Sequence, residues 1–365
     1  MRLATKAPEH LVSETSSSFS SADGSLHRPG TPADTPPHHG LDLMPESFVA
    51  VAYRRLRYTA AIALSALLFC TLGWAVAAPP PQLAGVSLLA WNNVPLPWHG
   101  NALFVALLLA VMLLIATAVS SLLVHPESPH MGLFCALLGM AGLSIRGGTV
   151  HMLVEYSQQT GVFNGVSRTL AIECVQWAFI LLIAEIFCRL LHKKFFANMH
   201  WITRAAPDLA GRSPDEVDPG VARTGLRGGP GAAKPEPESP VNYAIGVLLS
   251  VLISGAVAYL LLYVLLQTQA KGQVLFGCFV AFFLSTIAAY LTVPRVPMLP
   301  LLLAVLATAC AAYLYGMHMP PMYPGHSGFF ATRALPIDYM TAGIPGAILG
   351  YYTAFRWTLN PPEMV

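Results

Sequence analysis

Polar residues along this chain gather between long apolar stretches instead of alternating within them. Eight apolar runs stand out, beginning near Tyr58, Ala102, Met131, Thr169, Val241, Gly272, Met298 and Ile337. The clearest, Ala102 to Val124 (ALFVALLLAVMLLIATAVSSLLV), carries no charge. A helix of about 20 such residues crosses roughly 30 Å of hydrocarbon. Backbone polar groups in lipid must be paired within the segment or within a closed barrel, and a barrel needs alternating stretches of about 10 residues, which are absent here. The pattern predicts an all-α fold, a polytopic membrane helix bundle of about eight transmembrane helices.

Two segments break the pattern. Residues 1–50 are rich in Ser, Thr, Pro, Gly and His (SETSSSFSSADGS, RPGTPADTPPHHG) and carry too little apolar surface to offset the entropy of ordering, so a disordered tail is expected. Residues 196–240, Pro and Gly rich from about 203, read as a flexible linker. They divide the membrane region into residues 51–195, with helices one to four, and 241–358, with helices five to eight; residues 359–365 form a short C-terminus. No fixed-period repeat is visible.

Orientation follows from Lys and Arg in the flanks. YRRLR precedes the first run, RLLHKK follows the fourth, Arg295 separates the sixth from the seventh and Arg356 closes the eighth, whereas the segment after the first run (APPPQLAGVSLLAWNNVPLPWHGN) has neither residue. Both termini and the linker are therefore expected to be cytoplasmic, in a bacterial inner membrane, with Trp91, Trp98 and Trp357 near interfaces. The first run ends in an Ala-x-Ala pattern at Ala75 to Ala77 that also suits signal cleavage. It is itself long enough to span, and it is read as a retained helix. The third run is short and Arg146 interrupts it; charge parity favours a crossing that extends to about Val154, with Arg146 inside the bilayer.

Composition sharpens this picture. Apolar residues make up 55% and charged residues 10% of 365, with a formal net charge of +2, against about 25% charged in a soluble domain. So weak a field argues against nucleic acid as a partner and leaves the lipid bilayer as the main one. The six cysteines lie singly within apolar runs, without a CxxC pair, and are expected to be packing residues.

Ionisable groups inside a membrane cost at least about 2.5–3.5 kcal/mol at a helix centre and are functional candidates by default. Arg146 and Glu173 are expected to pair across the third and fourth helices, with Gln176 one turn inward. Glu185 and Arg189, in favourable i, i+4 order, are expected to form an interfacial pair. His151 and Glu155 share a face at the end of the third helix. Gly343, Gly346 and Gly350 place small residues on broadly one side of the last helix, where Pro345 is expected to kink or break it.

Between the seventh and eighth runs lies GMHMPPMYPGHSGFF, with Met317, His318, Met319, Met322 and His326. Thioether and imidazole ligands suit Cu(I), so copper is a candidate cofactor for an outer-face module. Within that stretch GHSG, Gly325 to Gly328, resembles the GxSG motif of rhomboid intramembrane proteases, which implies a serine activated by a His on a later helix. No His follows residue 326, and no other catalytic motif is present, so an enzyme is not expected. The sequence reading favours a transporter or permease-like protein for a small solute. The alternative is a non-transporting membrane protein, either a Met/His metal-handling module or an assembly component.

Overall fold

The computed structural model describes residues 48–77, 102–125, 128–147, 166–196, 240–268, 270–293, 296–318 and 330–359. The expectations of a disordered N-terminal tail and a flexible linker fall on residues outside that set, apart from a few at their edges. The described residues hold ten α-helices: α1 (Phe48–Leu68), α2 (Trp74–Ala77), α3 (Ala102–Val124), α4 (Pro129–Arg146), α5 (Val166–Leu191), α6 (Pro240–Leu265), α7 (Lys271–Thr292), α8 (Met298–Gly316), α9 (Pro336–Asp338) and α10 (Ile344–Leu359). Three π turns, Phe69–Gly73, His192–Phe196 and Tyr339–Gly343, join or extend them. The described residues contain no strand.

Among the described residues six helical segments are long and apolar enough to cross a membrane: Val51–Val76, Phe104–Val124, Ser167–Lys194, Val241–Leu265, Lys271–Thr292 and Met298–Gly316. Large side chains on their outer faces, among them Leu107, Phe179, Leu252, Leu260 and Phe276, are more than half exposed. An apolar surface this extensive is compatible with lipid, not water, as the solvent of an integral, multi-pass membrane protein.

The last described turn of the third helix is at Arg146, where the Gly147 amide closes on the Leu143 and Ser144 carbonyls, and the expected continuation to Val154 falls outside the described residues. In sequence Arg146 is followed by Gly147 and Gly148, residues of low helix propensity. The helix begins with Pro129 at its first position, where the missing N–H has no cost.

Close packing explains the glycines. A Cβ at Gly346 would lie 2.3 Å from the Phe279 carbonyl oxygen, and one at Gly350 would lie 2.3 Å from that of Phe283. The backbones of α7 and α10 thus meet over two successive turns, as small residues allow in membranes. Gly139 brings α4 equally close to Ser65 of α1. Pro345 does not break the last helix. It lacks the N–H that would bond the Thr341 carbonyl, and the π turn Tyr339–Gly343 immediately before it takes up the irregularity.

The helices alternate in direction. Arg146 at the end of α4 reaches Cys70 at the end of α1, while Lys271 at the start of α7 reaches Asp338 in α9. At the opposite end Arg57 of α1 reaches Leu123 of α3, and His130 at the start of α4 reaches Glu185 late in α5. These are called below the Arg146 end and the His130 end. The two halves of the chain are interleaved, since α4 packs on α10 and on the last π turn while α5 packs on α8. Cys135, Cys174, Cys188 and Cys278 are buried and Cys70 and Cys310 half-buried, all as free thiols, which agrees with a packing role.

Candidate functional site

At the Arg146 end three helices meet on one carboxylate. Asp338, 1% exposed, receives the Lys271 ammonium at 2.7 Å on Oδ1 and 2.9 Å on Oδ2. The Leu335 amide donates to Oδ2 at 2.8 Å, and the Ser144 hydroxyl donates to Oδ1. The local sequence dictates this arrangement. In LPID, Pro336 starts α9 and Asp338 stands at its third position, from which a carboxylate reaches back to the amide before the helix. Ser144 then ties α4 to that turn, and Lys271 ties α7 to it.

The segment leading into α9 is pinned as well. Arg333, 9% exposed, donates from Nη1 to the Leu266 carbonyl at 2.5 Å, and the Tyr313 hydroxyl donates to Ala334 at 2.5 Å. Phe330 sits edge-on between Tyr259 and Tyr263. Tyr339 packs edge-on against Phe282 and Tyr313.

The pairing expected between Arg146 and Glu173 is not what the structure builds. Arg146 is the last residue of α4, and it is exposed; its Nη1 donates to Cys70 O at 2.9 Å, and its guanidinium lies 4.5 Å from the Trp74 ring centroid. A cation on an indole face at a helix end fits an interfacial anchor. Glu173 is fully buried and accepts from Trp177 Nε1 at 3.2 Å. Gln176 is half-buried, and its Oε1 finds no hydrogen-bond partner among the described residues. His151 and Glu155 lie outside the described residues. So do Met319, Met322 and His326, while Met317 and His318 are exposed at the end of α8. Among the described residues no group of three His, Cys, Asp or Glu side chains could hold a metal.

A second polar network occupies the His130 end. The expected pair of Glu185 and Arg189 is present at 2.8 Å, but Glu185 is 1% exposed and its Oε1 also meets His130 Nε2 at 2.8 Å. Tyr352 of α10 contacts His130 Nδ1 at 3.2 Å, and Ser128 contacts the same Tyr352 hydroxyl. The two networks clamp α4 at each end, Ser144 and His130 being its attachment points, and α10 with its leading turn takes part in both.

Just before α4, His125 is buried beside Arg57, which donates to the Leu123 and His125 carbonyls. Burial first, then the nearby His192 and Arg57, hold the His125 imidazole below its ordinary value of 6.5. Between the two values the unfolded chain binds the proton and the folded chain does not. This contribution is therefore full above the ordinary value and is lost as pH falls through and below it. The melting temperature in detergent is expected to fall between pH 7.5 and pH 5.5, and the fall should be smaller in His125→Gln. Equal pH profiles for the two proteins would contradict this account of His125.

Lys271, Asp338, Arg333 and His130 are not among the residues that the hydrophobic pattern singles out. Each stands within a few residues of the end of an apolar run, where such a pattern reads charge as interfacial. The one local signal was Pro336 followed by Asp338, a helix-start signature. Comparison of the chain with protein-family models, with curated proteins and with solved structures finds no match.

Proposed function

We propose that this is an inner-membrane protein of about eight spans, with both termini cytoplasmic, that moves a small solute. The observation that carries this reading is the Lys271–Asp338 ion pair, nearly excluded from solvent at the point where the last helix is interrupted by a π turn. A buried pair costs desolvation that a packed apolar contact does not, so it is a poor choice for stability alone. Interrupted helices beside buried charge are the means by which transporters build solute sites within the membrane.

Eight spans are supported by length. The 18 residues of α4 rise about 27 Å at about 1.5 Å each, close to the roughly 30 Å hydrocarbon thickness. Residues Pro336 to Leu359, taken through the π turn, are long enough for a second crossing. With these included, the basic clusters at Arg54–Arg57 and His192–Lys194 fall on one side, the cytoplasmic one by the positive-inside rule. The Arg146 end, with Asp338, then faces out. The networks at the two ends of α4 would act as alternate gates, one opening while the other holds.

Osmotic swelling of proteoliposomes tests this directly. Wild-type protein is expected to admit at least one of glycerol, glycine and sodium lactate at ten times or more the rate of empty vesicles, and Asp338→Asn to lose most of that excess. Vesicles that behave as if empty for all three solutes, or an unchanged rate in a folded Asp338→Asn protein, would overturn the proposal.

A further inference from the structure

The residues around Asp338 also indicate what class of solute the site takes, given the transport reading above. Two short segments, 266–271 and 333–338, are cross-tied at both ends, by Arg333 on the Leu266 carbonyl and by Lys271 on Asp338. Their charge balance is uneven. Asp338 is saturated, with Ser144, Lys271 and the Leu335 amide all donating to it, and it has no room for an ammonium ligand.

Arg333 is the reverse case. Its guanidinium carries five N–H donors, it is nine-tenths buried, and among the described residues its polar contact is one neutral carbonyl and no carboxylate pairs with it. A guanidinium removed from water without a counter-charge is costly, and its planar fork matches a carboxylate through two parallel hydrogen bonds. Arg146, exposed at the same end, adds a further positive charge on the approach.

We propose that Arg333 binds the carboxylate of a small organic acid at the Arg146 end of the bundle. The ligand's carboxylate takes the open face of the Arg333 guanidinium, and its uncharged remainder lies toward the Tyr259, Tyr263 and Phe330 rings. A lipid phosphate offers related oxyanion chemistry, and the test separates the two sources.

The test is a thermal-shift titration of the full chain in detergent with sodium lactate, acetate and succinate, each against sodium chloride at equal ionic strength. At least one carboxylate is expected to give saturable stabilisation that chloride and glycerol do not. Arg333→Lys, which keeps the charge and loses the fork, should weaken it about tenfold or more, while Arg356→Gln at the opposite end should leave it unchanged. A measurement on wild-type protein stands beside the variant: phenylglyoxal modification of Arg333, followed by mass spectrometry, should be slowed by the carboxylate that binds. Shifts no larger than those with chloride would overturn the proposal. So would an Arg333 whose modification rate ignores the carboxylates, or one protected by phosphatidylglycerol alone. Saturable carboxylate binding without vesicle uptake would remove the transport reading and keep the site; uptake of glycerol without carboxylate binding would do the opposite.

Discussion

Asp338→Ala is expected to cost about 3–5 kcal/mol, the range for breaking one side of a buried pair, and to leave little folded protein in detergent. The loss does not come from the attraction alone. Removing the carboxylate strands the Lys271 ammonium, which is 13% exposed, together with the Ser144 hydroxyl and the Leu335 amide. Ser144 and Leu335 are fully buried, so neither of their donors can turn to water instead. Lys271→Ala should be nearly as damaging, because it leaves the carboxylate buried. The double variant Lys271→Met with Asp338→Leu should regain most of the lost stability, since neither charge then remains. Thermal unfolding followed by size-exclusion chromatography reads all three. An Asp338→Ala protein that melts within about a degree of wild type would contradict the burial described here. A double variant that is stable yet inactive would assign the pair to function and not to folding.

The second large effect is expected at Gly346. Its missing side chain lets α10 lie directly on α7, and an Ala Cβ would stand 2.3 Å from the Phe279 carbonyl oxygen and 3.0 Å from the carbonyl carbon. Both atoms are main chain, so relief requires the helices to separate and not merely a rotamer to change. Overpacking of this kind costs about 1–3 kcal/mol, and Gly346→Leu should prevent assembly of the bundle. Gly350→Ala, against Phe283 one turn on, should add to it. Gly272 supplies the control, because nothing lies within 4 Å of a Cβ placed there. Gly272→Ala should be neutral or raise stability by about 0.5–1 kcal/mol through helix propensity. Melting temperatures in one detergent compare these directly; a Gly346→Ala protein as stable as Gly272→Ala would show that the two backbones are not in contact.

The all-helical fold could be read from hydropathy because lipid-spanning helices must be long, apolar and self-paired, and the described helices begin within a few residues of the expected starts for seven of the eight runs. The first helix starts ten residues before Tyr58, at Phe48, since YRRLR continues the helix into the interfacial region instead of ending it. The third is described only to Arg146, and charge parity argues for a crossing without saying where it ends. The role of the glycines in α10 was legible, as their spacing alone places them on one side.

The site was much less legible. Depth along a helix does not give its neighbours, and Arg146 and Glu173 turn out to serve different partners, the Cys70 carbonyl with the Trp74 ring and the Trp177 indole respectively. Asp338 gains its importance only when Ser144, 194 residues away, and Lys271, 67 residues away, converge on it. Pairings over such separations leave no periodic trace. Glu185 shows the intermediate case: its i, i+4 partner Arg189 was readable, whereas His130, 55 residues away, was not.

A solute site that opens outward requires the Arg146 end of the bundle outside the cell and the linker within it. Cysteines introduced one at a time at Ser157 and Ser239, with Cys70 and Cys310 replaced by Ala and the four buried cysteines kept, read this when intact cells are treated with a membrane-impermeant maleimide. Ser157→Cys is expected to react in intact cells and Ser239→Cys only after the membrane is opened; labelling of Ser239→Cys from outside, with Ser157→Cys protected, would contradict the orientation and with it an outward-facing Asp338.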